Sequence, residues 1–513
     1  MLLKNGDADI MNWSVWLVGI AFGWTVWTAC AEAPQPYGPV PTERQLRWHE
    51  TETFSLIHFG LNTYTDREWG YGNEDPRLFQ PSATDANQVV STLKHGGMKG
   101  VILVAKHHDG FCLWPTKTTE HNISKAPWFG GKGDLVREYA DAAKKYGLRF
   151  GLYCSPWDRN SAAYGTTNYL PLYQTQLREL TTHYGTLFEV WFDGANGGDG
   201  YYGGAREKRG IDRFTYYDWP NTWDIVRKLQ PGACIFGDVG PDCRWVGNER
   251  GYAAAECWAT FTPKGKTDRA RPANGDTLND TEGPAGHRDG VAWMAPECDV
   301  PLRKGWFWHP NEDATVRTPA QLLDIYFNSV GKGGCMNLGV APDRYGLVCA
   351  ADICSLEAFG SLLHTLFAVD YAANAVATAN NVRAWQSVPG QKNPYAPENV
   401  IDGDRYSYWT VDDAVTHAML TLTLPARAEF NVVRLRENIK LGQRVDGFAV
   451  DTWQNGTWEE YASGQSIGAC RLFRGAKVKT DKVRLRITHA AACPCISDFG
   501  LFDTPAVLDQ KQP

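Results

Sequence analysis

Short apolar runs that stop at a glycine or a polar residue recur through the first two-thirds of the chain, and longer stretches with helical spacing separate them. Runs at 53–60, 100–105, 149–153, 188–193, 231–238 and 334–338 have the length and composition of buried strands. Stretches at 85–95, 135–146, 173–184 and 356–366 have helical character, and glycines stop the first two. Strands alternating with helices imply a parallel sheet. The pattern predicts an α/β fold, a (β/α)8-like TIM barrel. Between 240 and 330 the alternation is less regular, and the segments 240–249, 293–299 and 305–309 declare no element of their own. A doubly wound open sheet would share the alternation. However, no GxGxxG opens a helix after a strand, so a nucleotide site has no support.

From about residue 376 the texture changes. Short alternating runs at 432–435, 448–451 and 483–487 are separated by turns rich in Gly and Asn, which predicts a β-sandwich module after the barrel. At the other end, an apolar run over 13–28 is followed by Ala29, Cys30 and a Pro-rich stretch. Apolar run, small residues and polar linker together read as an export signal. Cys30 is placed like the lipidated residue of a bacterial lipoprotein. The expected organisation is an export segment over 1–30, a linker over 31–44, a catalytic barrel over 45–368 and a sandwich over 369–513. The expected location is periplasmic or cell-surface, with membrane attachment through lipidated Cys30.

Composition adds limits. A net charge of −7 offers no basic field for nucleic acid. Thirteen cysteines are scattered without metal-site spacing, so zinc is not expected. The chain carries 21 Trp, 22 Tyr and 21 Phe, and aromatic faces suit the C–H faces of sugars as well as cores.

The strand exits carry the candidate chemistry: His58, then His107 and His108, then Tyr153 and Trp157, then Trp191 and Asp193. Polar groups at successive strand C-termini mark the mouth of a barrel. Imidazoles and indoles suit sugar hydroxyls and ring faces. Glycoside hydrolysis needs two carboxyls flanking the bond. Asp193 is the candidate nucleophile and Glu249 the candidate acid/base, with Glu256 and Glu297 competing for the second role. Each has a blander reading: Asp193 as a turn cap, Glu249 as a surface charge, His58 as a core histidine.

His58-Phe59-Gly60, Glu68-Trp69-Gly70, Lys106-His107-His108-Asp109-Gly110-Phe111, Leu152-Tyr153 and Trp191-Phe192-Asp193-Gly194, in that order, resemble the α-L-fucosidases of glycoside hydrolase family 29 over roughly residues 45–365. The resemblance implies a retaining mechanism through a covalent fucosyl-enzyme, with Asp193 as nucleophile. It also implies fucose contacts from His58, Glu68, Trp69, His107, His108, Tyr153 and Trp191, to which Trp157, Arg244 and Trp308 are added as substrate-binding candidates. The segments 240–249, 296–299 and 305–309 resemble the subgroup that prefers α-1,3/1,4-linked fucose, where Glu249 falls on the acid/base position. Residues 397–404, Trp409 and 496–501 resemble a discoidin-like module, which implies a structural calcium with Asp402 and Asp498 as ligands. No cofactor is implied for catalysis. The implied partners are fucosylated oligosaccharides or glycoproteins. The competing readings are a non-catalytic glycan-binding protein on a decayed barrel and a retaining glycosidase for another sugar such as galactose.

Overall fold

The computed structural model describes residues 32–263, 282–386 and 389–505. The export run and Cys30 lie outside the described residues. Among those described, no helix is long and apolar enough to cross a membrane.

Eight parallel strands close a barrel: β1 Thr53–Ile57, β2 Gly100–Lys106, β3 Arg149–Cys154, β4 Glu189–Trp191, β5 Cys234–Gly237, β6 Cys243–Trp245, β7 Ala295–Pro301 and β8 Cys335–Val340. Each pairs with the next, and β8 returns to β1 through registers such as Thr53 opposite Met336. The apolar runs are continuous because both faces are covered. In β2 every residue is buried. Alternation then sorts the side chains. Ile102 and Val104 join the interior cluster with Tyr153, Trp191 and Phe236, whereas Val101, Leu103, Val190 and Ile235 join the layer beneath the helices. Along β4 and its exit, Glu189, Trp191 and Asp193 are two residues apart and share the inward side.

The helices end where local chemistry ends them. Asp85 caps Ala86–His95 and Asp134 caps Leu135–Tyr146, each accepting from a first-turn N–H. Gly147 closes the latter at φ +74°, a left-handed turn that favours glycine. The helix expected over 173–184 runs from Tyr169 to His183, and the one expected over 356–366 begins at Ala350. A helix at Pro319–Asn328, opened by a Thr318–Gln321 capping box, and strands β6 and β7 were not foreseen. β7 reads Ala-Pro-Glu-Cys-Asp-Val-Pro, whose buried acids break the apolar pattern of a core strand.

The C-terminal domain is an antiparallel sheet. Its two 20-residue strands, Ala418–Glu437 and Arg471–Ala490, bend through register shifts around Thr423 to Val432. The runs expected at 432–435, 448–451 and 483–487 all lie within its strands. Trp409, Leu420, Val433, Leu485 and Phe499 belong to its own core. Val432, Cys470, Leu472 and Phe502 instead join the core of the barrel. Glu52, just before β1, links the two domains: it meets Arg405 at 2.9 Å and Arg436 at 3.1 Å, and Lys99 at 2.7 Å. Burial alone would raise the Glu52 carboxyl, but the three cations hold it well below the usual carboxylate range.

The two acids expected to hold calcium are engaged with other partners. Asp498 is paired with Arg434 and lies 3.4 Å from the Arg436 guanidinium, two positive charges that repel a divalent cation. Asp402 accepts from the Asp404 N–H and the Ser407 hydroxyl in a local turn. Neither belongs to a three-residue ligand cluster among the described residues.

The interdomain pair generates a test. Glu52→Gln leaves Arg405 and Arg436 without their buried partner and should cost roughly 3 kcal/mol in urea or thermal unfolding. Because the folded carboxyl titrates below its unfolded value of about 4.3, the wild-type contribution is present above that pH. It is lost as pH falls toward the folded value. The mutant should therefore lose its deficit in acid.

Candidate active site

At the C-terminal ends of the strands a cavity of about 390 Å³ opens. His58, Trp69, His107, His108, Tyr153, Trp191, Asp193 and Glu249 all line it. A larger groove of about 780 Å³ lies at the opposite end, around Arg44, Arg149 and Phe188. It lacks paired carboxyls, and the N-terminal face of such barrels serves stability rather than chemistry.

Asp193 follows β4, and donors orient both of its oxygens. Oδ2 accepts from the Tyr153 hydroxyl at 3.0 Å, and Oδ1 accepts from the Ala195 N–H at 2.6 Å. Burial, then the charge of Asp193, pushes the Tyr153 phenol well above its ordinary value, so it remains a donor. The ring of Tyr153 stacks on Trp191 at 5.1 Å, and Trp191 stacks on Phe236 at 4.1 Å. Strand register puts these three rings side by side. Gly194 has no room for a side chain: a Cβ there would sit 1.9 Å from Asp238 Oδ2.

The imidazoles are neutral at neutral pH. Burial, with His108 nearby, pulls His58 down to about 3, and burial, with His108, His58 and the Arg159 guanidinium nearby, pulls His107 well down. Burial also lowers His108, against the pull of Asp193. Ser155 Oγ donates to the Trp157 carbonyl and stands 2.8 Å from His108 Nδ1. That assigns the His108 proton to Nδ1 and leaves Nε2, 3.9 Å from Asp193 Oδ2, as an acceptor facing the cavity.

Glu249 stands at the exposed rim, four residues beyond β6. Its Oε1 accepts from Trp306 Nε1 at 3.3 Å. Partial burial raises the carboxyl, the Trp306 hydrogen bond opposes this, and the charges of Asp193 and Glu68 add to the rise. Two carboxyls share one cavity, and their surroundings treat them differently. One has its oxygens fixed by an N–H and an O–H, and the other is biased toward its protonated form. That is the division of labour acid–base chemistry requires.

Four expected contacts lie elsewhere. Arg244 is fully buried outside the barrel: its guanidinium donates to the carbonyls of Gly283, Trp258 and Met294. The reason is alternation, since Cys243 and Trp245 take the inward positions of β6 and Trp245 reaches the cavity instead. Trp308 lies under the Arg344 guanidinium, and Trp306, two residues earlier, lines the cavity. Trp157 is buried behind His108 and Trp69 and donates to the Tyr202 hydroxyl. Glu68 accepts from the N–H groups of Trp306 and Phe307 and meets His309 at 2.8 Å, so it secures the loop that carries Trp306. Glu256 is excluded as the second acid, because it pairs with Arg471 of the C-terminal domain. Asp238, Trp245, Asp299 and Trp306 also line the cavity. Asp299 had a signal: it lies two residues after Glu297 on one strand and so shares its face.

A closed parallel barrel with paired carboxyls among imidazole and indole rings defines a glycoside hydrolase. Comparison with known proteins gives the particular kind. The alpha-L-fucosidase family model matches residues 9–366. Putative alpha-L-fucosidase 1 of Oryza sativa subsp. japonica is 39% identical over 491 residues, 95% of this chain and 90% of that one. Alpha-L-fucosidase 1 of Arabidopsis thaliana is 39% identical over 474 residues, 91% of this chain and 88% of that one. Among solved structures, a putative alpha-L-fucosidase from Bacteroides thetaiotaomicron superposes with a TM-score of 0.82 at 36% identity, covering 93% of this chain and 100% of that one. A family 29 fucosidase from Ruminococcus gnavus in complex with fucose gives 0.83 at 29% identity, covering 94% and 98%. The chain belongs to the α-L-fucosidase family, glycoside hydrolase family 29.

Tyr153→Phe removes the hydroxyl donor to Asp193 Oδ2 while keeping the ring stack. A hydrogen bond to a charged group is worth about 1.5–3 kcal/mol, so kcat on a fucosylated oligosaccharide should fall roughly ten- to hundredfold, with the melting temperature little changed.

Proposed function

We propose that this chain is a retaining, exo-acting α-L-fucosidase that removes terminal α-1,3/1,4-linked L-fucose from glycans through a covalent fucosyl-enzyme. Asp193 attacks the anomeric carbon while Glu249 gives its proton to the departing oxygen. Glu249, now a carboxylate, then takes a proton from the water that releases fucose. His58, His107 and His108 act as neutral partners for the fucose hydroxyls, and Trp191 packs a ring face. The observation that carries this reading is the clamped carboxylate of Asp193 sharing one cavity with the raised carboxyl of Glu249. The linkage rests on the resemblance of segments 240–249 and 305–309 to the α-1,3/1,4 subgroup, with Trp245 and Trp306 as aromatic walls beside Glu249. Export, lipid attachment at Cys30 and a discoidin-like origin for the C-terminal sheet complete the proposal. Cys30→Ser should release the protein from the membrane fraction.

Asp193→Ala should abolish turnover of a Lewis-type oligosaccharide and leave the melting temperature near that of the wild type. NMR of the first product decides the stereochemistry. Retention releases α-L-fucose before mutarotation, and initial β-L-fucose would rule the covalent route out. kcat/KM should fall on the alkaline side as Glu249 loses its proton, at a pH above the ordinary glutamate value of about 4.3. Glu249→Gln should remove that limb along with most of the activity.

A further inference from the structure

Below the cavity, inside the barrel, three carboxyl side chains have no task in the mechanism above. Glu189 on β4 and Glu297 on β7 are fully buried, and Asp299 on β7 is 2% exposed. The groups that act most strongly on the three are other acids and neutral donors, not cations. Three bare charges in so weakly screening an interior would be prohibitive, so the group must hold protons.

The fixed donors show where the charge belongs. Trp191 Nε1 donates to Glu297 Oε1 at 2.8 Å, and Asn337 Nδ2 donates to the same oxygen at 2.7 Å. Glu189 receives one such donor, Trp48 Nε1 at 3.1 Å. The Cys243 thiol lies 3.7 Å from Glu189 Oε1 and 4.0 Å from Glu297 Oε2, so the two carboxyls are neighbours around it. Asp299 Oδ1 and Asn337 Oδ1 are both buried without a partner. As a carboxylate Asp299 could only accept, and beside Glu297, two residues along the same face of β7, it would set acceptor against acceptor. A single proton on Asp299 makes it the donor of that pair.

We propose that Glu297 carries the single negative charge of this trio, that Glu189 and Asp299 are neutral acids donating to it, and that the buried anion is a positioning residue for the reaction. Its hydrogen bond fixes the Trp191 indole. Trp191 stacks on Tyr153, and the Tyr153 hydroxyl holds Asp193 Oδ2. Burial pushes Glu189 and Asp299 well up, and it pushes Glu297 up as well. The hydrogen bonds from Glu189, Trp191, Asn337 and Asp299 oppose that rise by favouring the charged form of Glu297. Asp299 lines the cavity. As a neutral acid it adds no charge beside Glu249.

The kinetic part rests on the reading of Asp193 as the attacking carboxylate, and the protonation part does not. The full chain is therefore tested in two ways. Infrared difference spectra at neutral pH should show protonated-carboxyl bands in the wild type, one lost in Glu189→Gln and another in Asp299→Asn. Absence of these bands, or their survival in both variants, overturns the proposal. So does a stoichiometric metal found by elemental analysis and lost in Glu297→Gln, since Glu189, Cys243 and Glu297 atoms lie within 4.8 Å of one another. In kinetics, Glu297→Gln keeps the shape but turns an amide N–H toward two O–H donors. It should lower kcat at least tenfold with a smaller change in KM, and Glu189→Gln, which keeps a donor, should lower it less. Wild-type kcat in Glu297→Gln overturns the positioning role. If Glu297→Gln fails to fold, the spectra of the other two variants still decide. If Asp193→Ala stays active, the mechanism fails while the spectra stand on their own.

Discussion

Closure of the barrel turns one side of every strand inward, and the site depends on that constraint. On β4 it stacks an acid, an indole and a second acid along one line: Glu189 deep inside, Trp191 above it, Asp193 at the mouth. The neighbouring strands place Tyr153 and Phe236 level with Trp191. A shift of one residue in any of these strands would exchange the inward and outward sets and dismantle the site. The parallel pairing on both sides of β4 therefore supports the chemistry as much as the fold.

Much of this was legible because barrel strands are apolar on both faces and end abruptly. Asp193, the histidines and Tyr153 stand where runs terminate, and a terminus is a local signal. What stayed hidden was non-local. β7 carries Glu297 and Asp299 inward, and their hydrogen-bond partners come from strands far away in sequence, so nothing nearby marks them as core. β6 is three residues long and sits in a Gly-rich segment, where its alternation could not be seen. That is why Arg244 looked like a sugar contact and Trp245 did not. The exchange of Trp308 for Trp306 has a similar cause: Glu68, from another loop, fixes which indole of that segment faces the cavity.

The electrostatics of the cavity are spare. Three imidazoles are held neutral by burial, one carboxyl is biased toward its protonated form, and the acid that intrudes from β7 sits beside donors that favour a charge elsewhere. A pyranose with only hydroxyls to offer needs neutral donors and acceptors. A crowd of fixed charges would compete with the one that has to move. In the second domain Arg434 and Arg436 likewise neutralise Asp498, one of the two carboxylates expected to hold calcium.

Leu472 and Phe502 belong to the sheet domain by sequence and to the barrel by packing. The two halves are thus a single cooperative object with a shared interior. Trimming the gene after the last barrel helix would expose a greasy flank and leave Glu52 with Lys99 alone, yielding a sticky fragment instead of a smaller enzyme. The seam that holds the enzyme together therefore lies far from the sugar, in side chains that take no part in the chemistry.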